Sequence, residues 1–270
     1  MRQPIKSALR YFNTIDRALK DIVTLSGDIG GGKSSVARIL AERLNFQLIS
    51  AGAIQREIAT GMGLTTLQLN ERSAKDRSVD DRIDSHTQRL GETGNQIIVD
   101  SRLAWHFIPS AFKVFLSVDP EVGAGRVFDA SRSDEKHSSL AEALENNRSR
   151  TQLETTRFLA LYGIALRDYG NYDLVVDTSF VLPEQVAEVI ESSFRAWKLQ
   201  THFSQLWMSP KRLLALRDVS ASRSANAVAI AASVRLRSQG GQFQVASGRA
   251  LIEAAFRDHT PLLAAELVAI

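Results

Sequence analysis

Residues Gly27-Asp28-Ile29-Gly30-Gly31-Gly32-Lys33-Ser34 fit the spacing G-x-x-x-x-G-K-[ST], and their flanks restrict the chain more than any other feature does. Before them, Ile22 to Ser26 is a short apolar run of strand character. After them, Ser34 to Leu44 carries Val36, Ile39, Leu40 and Leu44 at helical spacing, with Asn45 as a stop. A glycine loop between a strand and a helix wraps an anion with backbone N–H groups, and the helix dipole adds partial positive charge there. Lys33 is expected to meet the β- and γ-phosphates of a nucleotide, the Ser34 hydroxyl to ligate Mg²⁺, and Ser35 to close the phosphate-contacting stretch.

The same alternation of short apolar runs with helical patterns recurs through the first two-thirds of the chain and predicts parallel βαβ units. Five strands are expected: Ile22 to Ser26, Phe46 to Ser50, Gln96 to Asp100, Phe112 to Val118 and Asp173 to Asp177, each read as covered on both faces. Asp100, at the end of the third, is the candidate acidic partner of Ser34 for metal or substrate, although an Asp there also caps turns. Asp119-Pro120 opens another helix, the polar SRSDEKHSS segment interrupts as a mobile lid, and a long helix runs from about Leu140 to Tyr162. Pro183 starts a helix that ends near Leu199.

In GDIGGGKSSVARILAERL, LISAGAIQREIA, IIVDSRLAWHF, RTQLETTRFLALYG and NYDLVVDTS, the chain resembles the nucleoside monophosphate kinases, and among them the cytidylate kinase-like family, from about Ile22 to Ile190. The resemblance implies an α/β P-loop three-layer fold with a five-stranded parallel sheet and a helical lid. It also implies Mg²⁺-dependent phosphoryl transfer from ATP to a nucleoside monophosphate, CMP or dCMP first. Arg56 and Arg102 correspond to arginines that grip the acceptor phosphate, and Asp84 and Gln88 to residues lining the acceptor nucleoside. Arg126 and Arg132 resemble lid arginines, and Arg150 and Arg157 the pair on the following helix. That pair is seven residues apart, so it shares one helix face and is able to converge on one anion, whereas Arg148 points elsewhere. A planar guanidinium binds phosphate oxygens bidentately, and phosphoryl transfer requires dense positive charge. The bland alternative pairs these arginines with Glu142, Glu145 or Glu154 on a solvated helix. Asp168 and Asp173 are expected to orient arginines.

Three departures bear on the acceptor: Ser101 where the family usually has glycine, Asn146-Asn147 where acidic residues are usual, and Phe158 for a tyrosine. They keep open a kinase with a different small-molecule acceptor, or a nucleotide-sensing regulator acting through the C-terminal residues. His86, His106 and His137 lack metal-ligand spacing and are read as structural or surface residues.

With 270 residues a second, smaller core is affordable, so residues 1–200 are expected to form the kinase-like domain (core about 21–197) and 201–270 a small α+β accessory domain that contacts the kinase or a protein partner. WMSPKRLLAL, GGQFQVASGRALIEAAF and PLLAAELVAI read as helix, strand, helix and strand. QFQVASGRALIEAA is similar to the ParB/sulfiredoxin-like superfamily, with Ser247-Gly248-Arg249 opening a helix where relatives bind nucleotide phosphate or other anions. The chain has no cysteine, which excludes disulfides and thiolate chemistry and fits a reducing cytoplasm. The opening stretch MRQPIKSALRYFNTIDRALKDIV has scattered charges and no unbroken apolar run, so neither a signal peptide nor a membrane span is expected there, and a net charge of only +3 gives no reason to expect nucleic-acid binding.

Overall fold

Six consecutive buried residues, Ile22–Gly27, form β1, and burial on both sides of a strand requires layers above and below the sheet. A computed structural model, which describes residues 19–64, 68–69, 77–130, 139–219 and 233–268, supplies those layers. β1 lies between β3 (Ile97–Asp100) and β4 (Phe112–Ser117), with β2 (Gln47–Ser50) beyond β3 and β5 (Leu174–Asp177) beyond β4, all parallel. The helices are α1 (Lys33–Leu44), α2 (Ala51–Gly61), α3 (Arg77–Thr93), α4 (Ala104–Phe107), α5 (Pro120–Asp129), α6 (Leu140–Tyr162) and α7 (Pro183–Lys198). This 2-3-1-4-5 order puts the switch point at the carboxyl end of β1, where α/β folds bind ligands.

Two packed layers secure β1. Val36 and Leu40 of α1 and Ile190 and Phe194 of α7 bury one face against Val23, Leu25, Val114 and Leu116. On the other side Ala104 and Ile108 pack with Ile22, Ile97 and Val99, while Trp105 of α4 joins Phe115, Tyr169 and Tyr172. The boundaries follow local chemistry. Asp119 caps α5 by accepting from Glu121 N at 3.0 Å and Val122 N at 3.3 Å, with Pro120 in the first turn. Ser139 caps α6 through Glu142 N at 3.2 Å, and Gly163 ends it. Along α6 only Ala143 is buried, and Leu153 and Leu159 face solvent.

The sheet differs from expectation in two respects. β2 is an edge strand paired only with β3, so Gln47 and Leu48 are exposed rather than covered. Beyond β5 the sheet continues: β6 (Leu206–Met208) is parallel to β5, β9 (Leu263–Leu267) antiparallel to β6, β7 (Val234–Gln239) parallel to β9, and β8 (Gln242–Ser247) antiparallel to β7. The expected five parallel strands are thus part of a mixed sheet of nine strands among the described residues. The C-terminal residues, with α8 (Pro210–Ala215) and α9 (Arg249–Arg257), are docked through backbone ladders. They contain the expected helices and strands, plus β6 and β7.

A buried ion pair closes this seam. Asp177 at the end of β5 is wholly buried and accepts from Arg212 Nη1 at 2.7 Å and Ser209 N at 3.1 Å. The same guanidinium donates to Ser117 Oγ at 3.0 Å. No described helix is long and apolar enough to cross a membrane.

Candidate active site

The loop after β1 is shaped by close backbone approach. Gly30 has φ +75°, and a Cβ there would lie 2.2 Å from the carbonyl oxygen of Gly123 in α5, so only glycine fits. Gly32, the N-cap of α1, brings no side chain to the first-turn amides, which leaves the positive end of the helix for an anion. Lys33 curls back over the loop, donating to the carbonyls of Gly27 and Asp28, each at 3.4 Å. Burial, and then the neighbouring charge of Arg102, lower its pKa to about 8.

Ser34 and Asp100 meet as the spacing predicts. Asp100 is in register with Leu25 of β1, and Ser34 Oγ donates to its Oδ2 at 3.5 Å. Burial pushes this carboxyl above the usual carboxylate range, although Lys33 and the Ser34 hydroxyl pull it down. A hydroxyl and a carboxylate beside a phosphate loop are the hard oxygen donors Mg²⁺ takes, and it needs few of them because it retains waters. The donor set therefore fits. Among the described residues there is no cluster of three or more His, Asp and Glu able to hold a metal.

The arginines divide into groups. Arg102 donates through Nη1 to Gly27 O at 2.7 Å and pairs through Nε with Glu154 at 3.3 Å. Glu154 also takes Arg150 at 3.3 Å, so the β3–α4 turn and α6 share one carboxylate. Arg157 instead holds Asp80 of α3 through both carboxylate oxygens, at 2.7 and 2.9 Å. Thus Arg150 and Arg157 point to different carboxylates. Tyr162 donates to Asp84 at 2.9 Å, and burial with that carboxylate raises its pKa. Gln88 is exposed on the same helix. Arg56 is exposed on α2, with no charged partner among the described residues. Arg126 braces the other part of the loop, bonding Gly30 O at 3.2 Å, Thr178 O at 2.6 Å and Ser179 O at 3.1 Å. Arg132 and His137 lie outside the described residues. Among the described residues Asp168 and Asp173 pair with no arginine: they accept from the backbone N–H groups of Gly170 and Lys113.

One matching segment decides the family. The model of the cytidylate kinase-like family matches residues 22–180, which hold β1, the phosphate loop, Asp100, Arg102 and α6. The chain belongs to the cytidylate kinase-like family. A cytidylate kinase from Sulfurisphaera tokodaii is 34% identical over 173 residues, covering 63% of this chain and 93% of that relative. An S-adenosylmethionine-dependent nucleotide dehydratase from Lacinutrix mariniflava is 35% identical over 173 residues, covering 64% of this chain but 35% of that protein. Among solved structures, an uncharacterized protein from Eubacterium ventriosum has a similar fold, with a TM-score of 0.50 and 18% identity over 65% of this chain and 98% of that one. Family membership accounts for the kinase machinery between β1 and β5 and leaves residues past 180 outside the match.

Sequence reasoning missed one member of the site. Arg167, after α6, donates to Asp28 Oδ1 at 2.9 and 3.1 Å, while Val118 N donates to Oδ2 at 3.1 Å. A carboxylate inside a phosphate loop demands a compensating cation, and that was the available signal. Ser247-Gly248-Arg249 opens α9, but Arg249 is committed to Asp218 at 2.6 Å and the Leu216 carbonyl at 2.9 Å.

Proposed function

We propose that the protein transfers the γ-phosphoryl group of ATP to a nucleoside monophosphate, with CMP or dCMP first. The observation that carries this reading is the contact of Arg102 with the phosphate loop. An arginine matched to acceptor-phosphate binding sits 2.7 Å from Gly27 O, close enough to depress the Lys33 pKa. Donor and acceptor phosphates bound to these two cations would be neighbours, as direct transfer requires. Lys33 and the α1 amides hold the donor phosphates, Ser34 and Asp100 hold Mg²⁺, and Arg102, Arg150 and Arg56 supply cationic density around the acceptor and the moving group. The metal, when bound, neutralises charge on the donor phosphates. Asp84, tied to Tyr162, faces the acceptor nucleoside. Catalysis is positioning and electrostatic stabilisation, and no protein nucleophile takes part. The chain carries no cysteine, as suits a reducing compartment, and we assign the protein to the cytoplasm.

Two expected results test the assignment. Arg102→Ala is expected to raise KM for the monophosphate about 10- to 100-fold, the range for losing a charge-assisted bidentate contact, and to change KM for ATP less than threefold. Equal effects on both substrates in steady-state kinetics would remove Arg102 from the acceptor site. The second concerns pH. ATP selects the ammonium form of Lys33, so its dissociation constant is expected to stay flat below the Lys33 pKa of about 8 and to rise about tenfold per pH unit above it. Calorimetric titration on both sides of that pKa reads this directly, and a flat profile would mean that Lys33 does not meet the anion.

A further inference from the structure

The β7–β8 turn lies outside the family match, yet it touches the phosphate loop through one intermediary. β7 ends at Gln239 and β8 begins at Gln242, so Gly240 and Gly241 form a two-residue turn with φ of +58° and +79°. A Cβ on Gly240 would meet nothing within 4 Å, whereas a Cβ on Gly241 would lie 2.5, 2.7 and 3.1 Å from Cδ, Cβ and Cγ of Arg167. The stem of Arg167 therefore rests directly on the bare Cα of Gly241. Because Cβ itself is in contact, rotating the outer part of the side chain would not relieve a clash.

The turn is held in place. Tyr169 donates to Gly241 O at 3.0 Å, and its ring stacks on Phe243 of β8 at 4.8 Å between centroids. It also packs edge-on against Phe115 of β4. From that support Arg167 reaches Asp28, whose backbone carbonyl accepts both Gly31 N at 3.1 Å and Lys33 Nζ at 3.4 Å. The path from turn to Arg167 to Asp28 to Lys33 consists entirely of direct contacts. Arg212 reaches the loop by a second route: it holds Asp177, which accepts from Ser179 N at 3.2 Å, and the Ser179 carbonyl accepts from Arg126, which also bonds Gly30 O.

We infer that the β7–β8 turn is a positioning element for the phosphate-binding loop. By carrying the stem of Arg167 on Gly241, it holds Asp28 and Lys33 in the shape that receives the donor phosphates. The turn thus shapes the donor site from outside the family match, and Arg167 and Gly241 are positioning residues that touch no substrate. The inference rests on reading loop 27–34 as an ATP site.

The test compares Gly241→Ala with Gly240→Ala in the full-length protein. Both introduce a side chain at positive φ in the same turn, so both carry the same class of backbone strain, and only the first displaces Arg167. Gly241→Ala is expected to raise the dissociation constant and KM for Mg-ATP about tenfold, while KM for the acceptor stays within twofold. It is also expected to speed hydrogen exchange at the amides of residues 28–35 in the ligand-free protein. Arg167→Ala is expected to do the same, and the double variant to be no worse than Arg167→Ala alone. Gly240→Ala should match the unsubstituted protein on every measure. If the two glycine variants behave alike, or the double variant is additive, the inference is overturned. Failure of the unsubstituted protein to bind Mg-ATP would overturn the donor-site reading instead, and loop exchange would still decide whether the turn positions the loop.

Discussion

Replacing Lys33 with alanine is expected to lower ATP-dependent phosphoryl transfer on the order of 10³-fold, because in the proposed reaction the ammonium meets the phosphate oxygens where transition-state charge collects. Such a loss is usually open to the objection that the variant has unfolded, but the electrostatics of Lys33 answer it. Its folded-state pKa of about 8 lies below the ordinary 10.5, so the folded, ligand-free protein holds this charge at a cost. Between those values the unfolded chain binds more protons, and stability contributed by this site rises with pH. Below the folded pKa the cost is fully present, so Lys33→Ala is expected to match or exceed the unsubstituted protein in thermal midpoint at neutral pH. It is also expected to abolish the rise in stability above pH 8. Lost activity together with a lower midpoint would contradict this account of the residue.

The second large effect concerns folding. Arg212→Met would leave Asp177 wholly buried without its cation. Breaking a buried pair from one side costs about 3–5 kcal/mol, a large part of the stability of an ordinary domain. The result expected in urea unfolding is a lower midpoint by that measure, and Asp177→Asn in the same chain should recover a substantial part, because the double variant buries no unpaired charge. If the single variant loses less than about 1 kcal/mol, the seam between β5 and α8 does not depend on this pair.

What the amino-acid pattern disclosed follows from how local each signal is. β1, the glycine loop and α1 are contiguous, and Asp119-Pro120 acts within one helical turn, so the five parallel strands, α1, the start of α5, and α6 and α7 were legible, whereas the bounds of α2, α3 and α4 were not read. The Ser34–Asp100 pairing was legible too, because a parallel strand ending beside the loop has few places to put its last side chain. Other features depended on partners far away in sequence. β6 is three residues long and earns its place by pairing with β5, while β7 alternates Val234 and Leu236 with arginines and shows little apolar run of its own. Helical spacing put Arg150 and Arg157 on one face of α6 but carried no information about Glu154 and Asp80, which draw them apart. Arg167 was hidden for the same reason, since its partner Asp28 is 139 residues away.

The central claim is tested most directly by ADP formation from Mg-ATP with purified protein, comparing CMP, dCMP, UMP, AMP, GMP and no acceptor, with Lys33→Ala as control. Acceleration by CMP or dCMP above the acceptor-free rate, abolished in Lys33→Ala, is the predicted result. An ADP rate that none of the five monophosphates increases, in a protein that binds Mg-ATP, would contradict it.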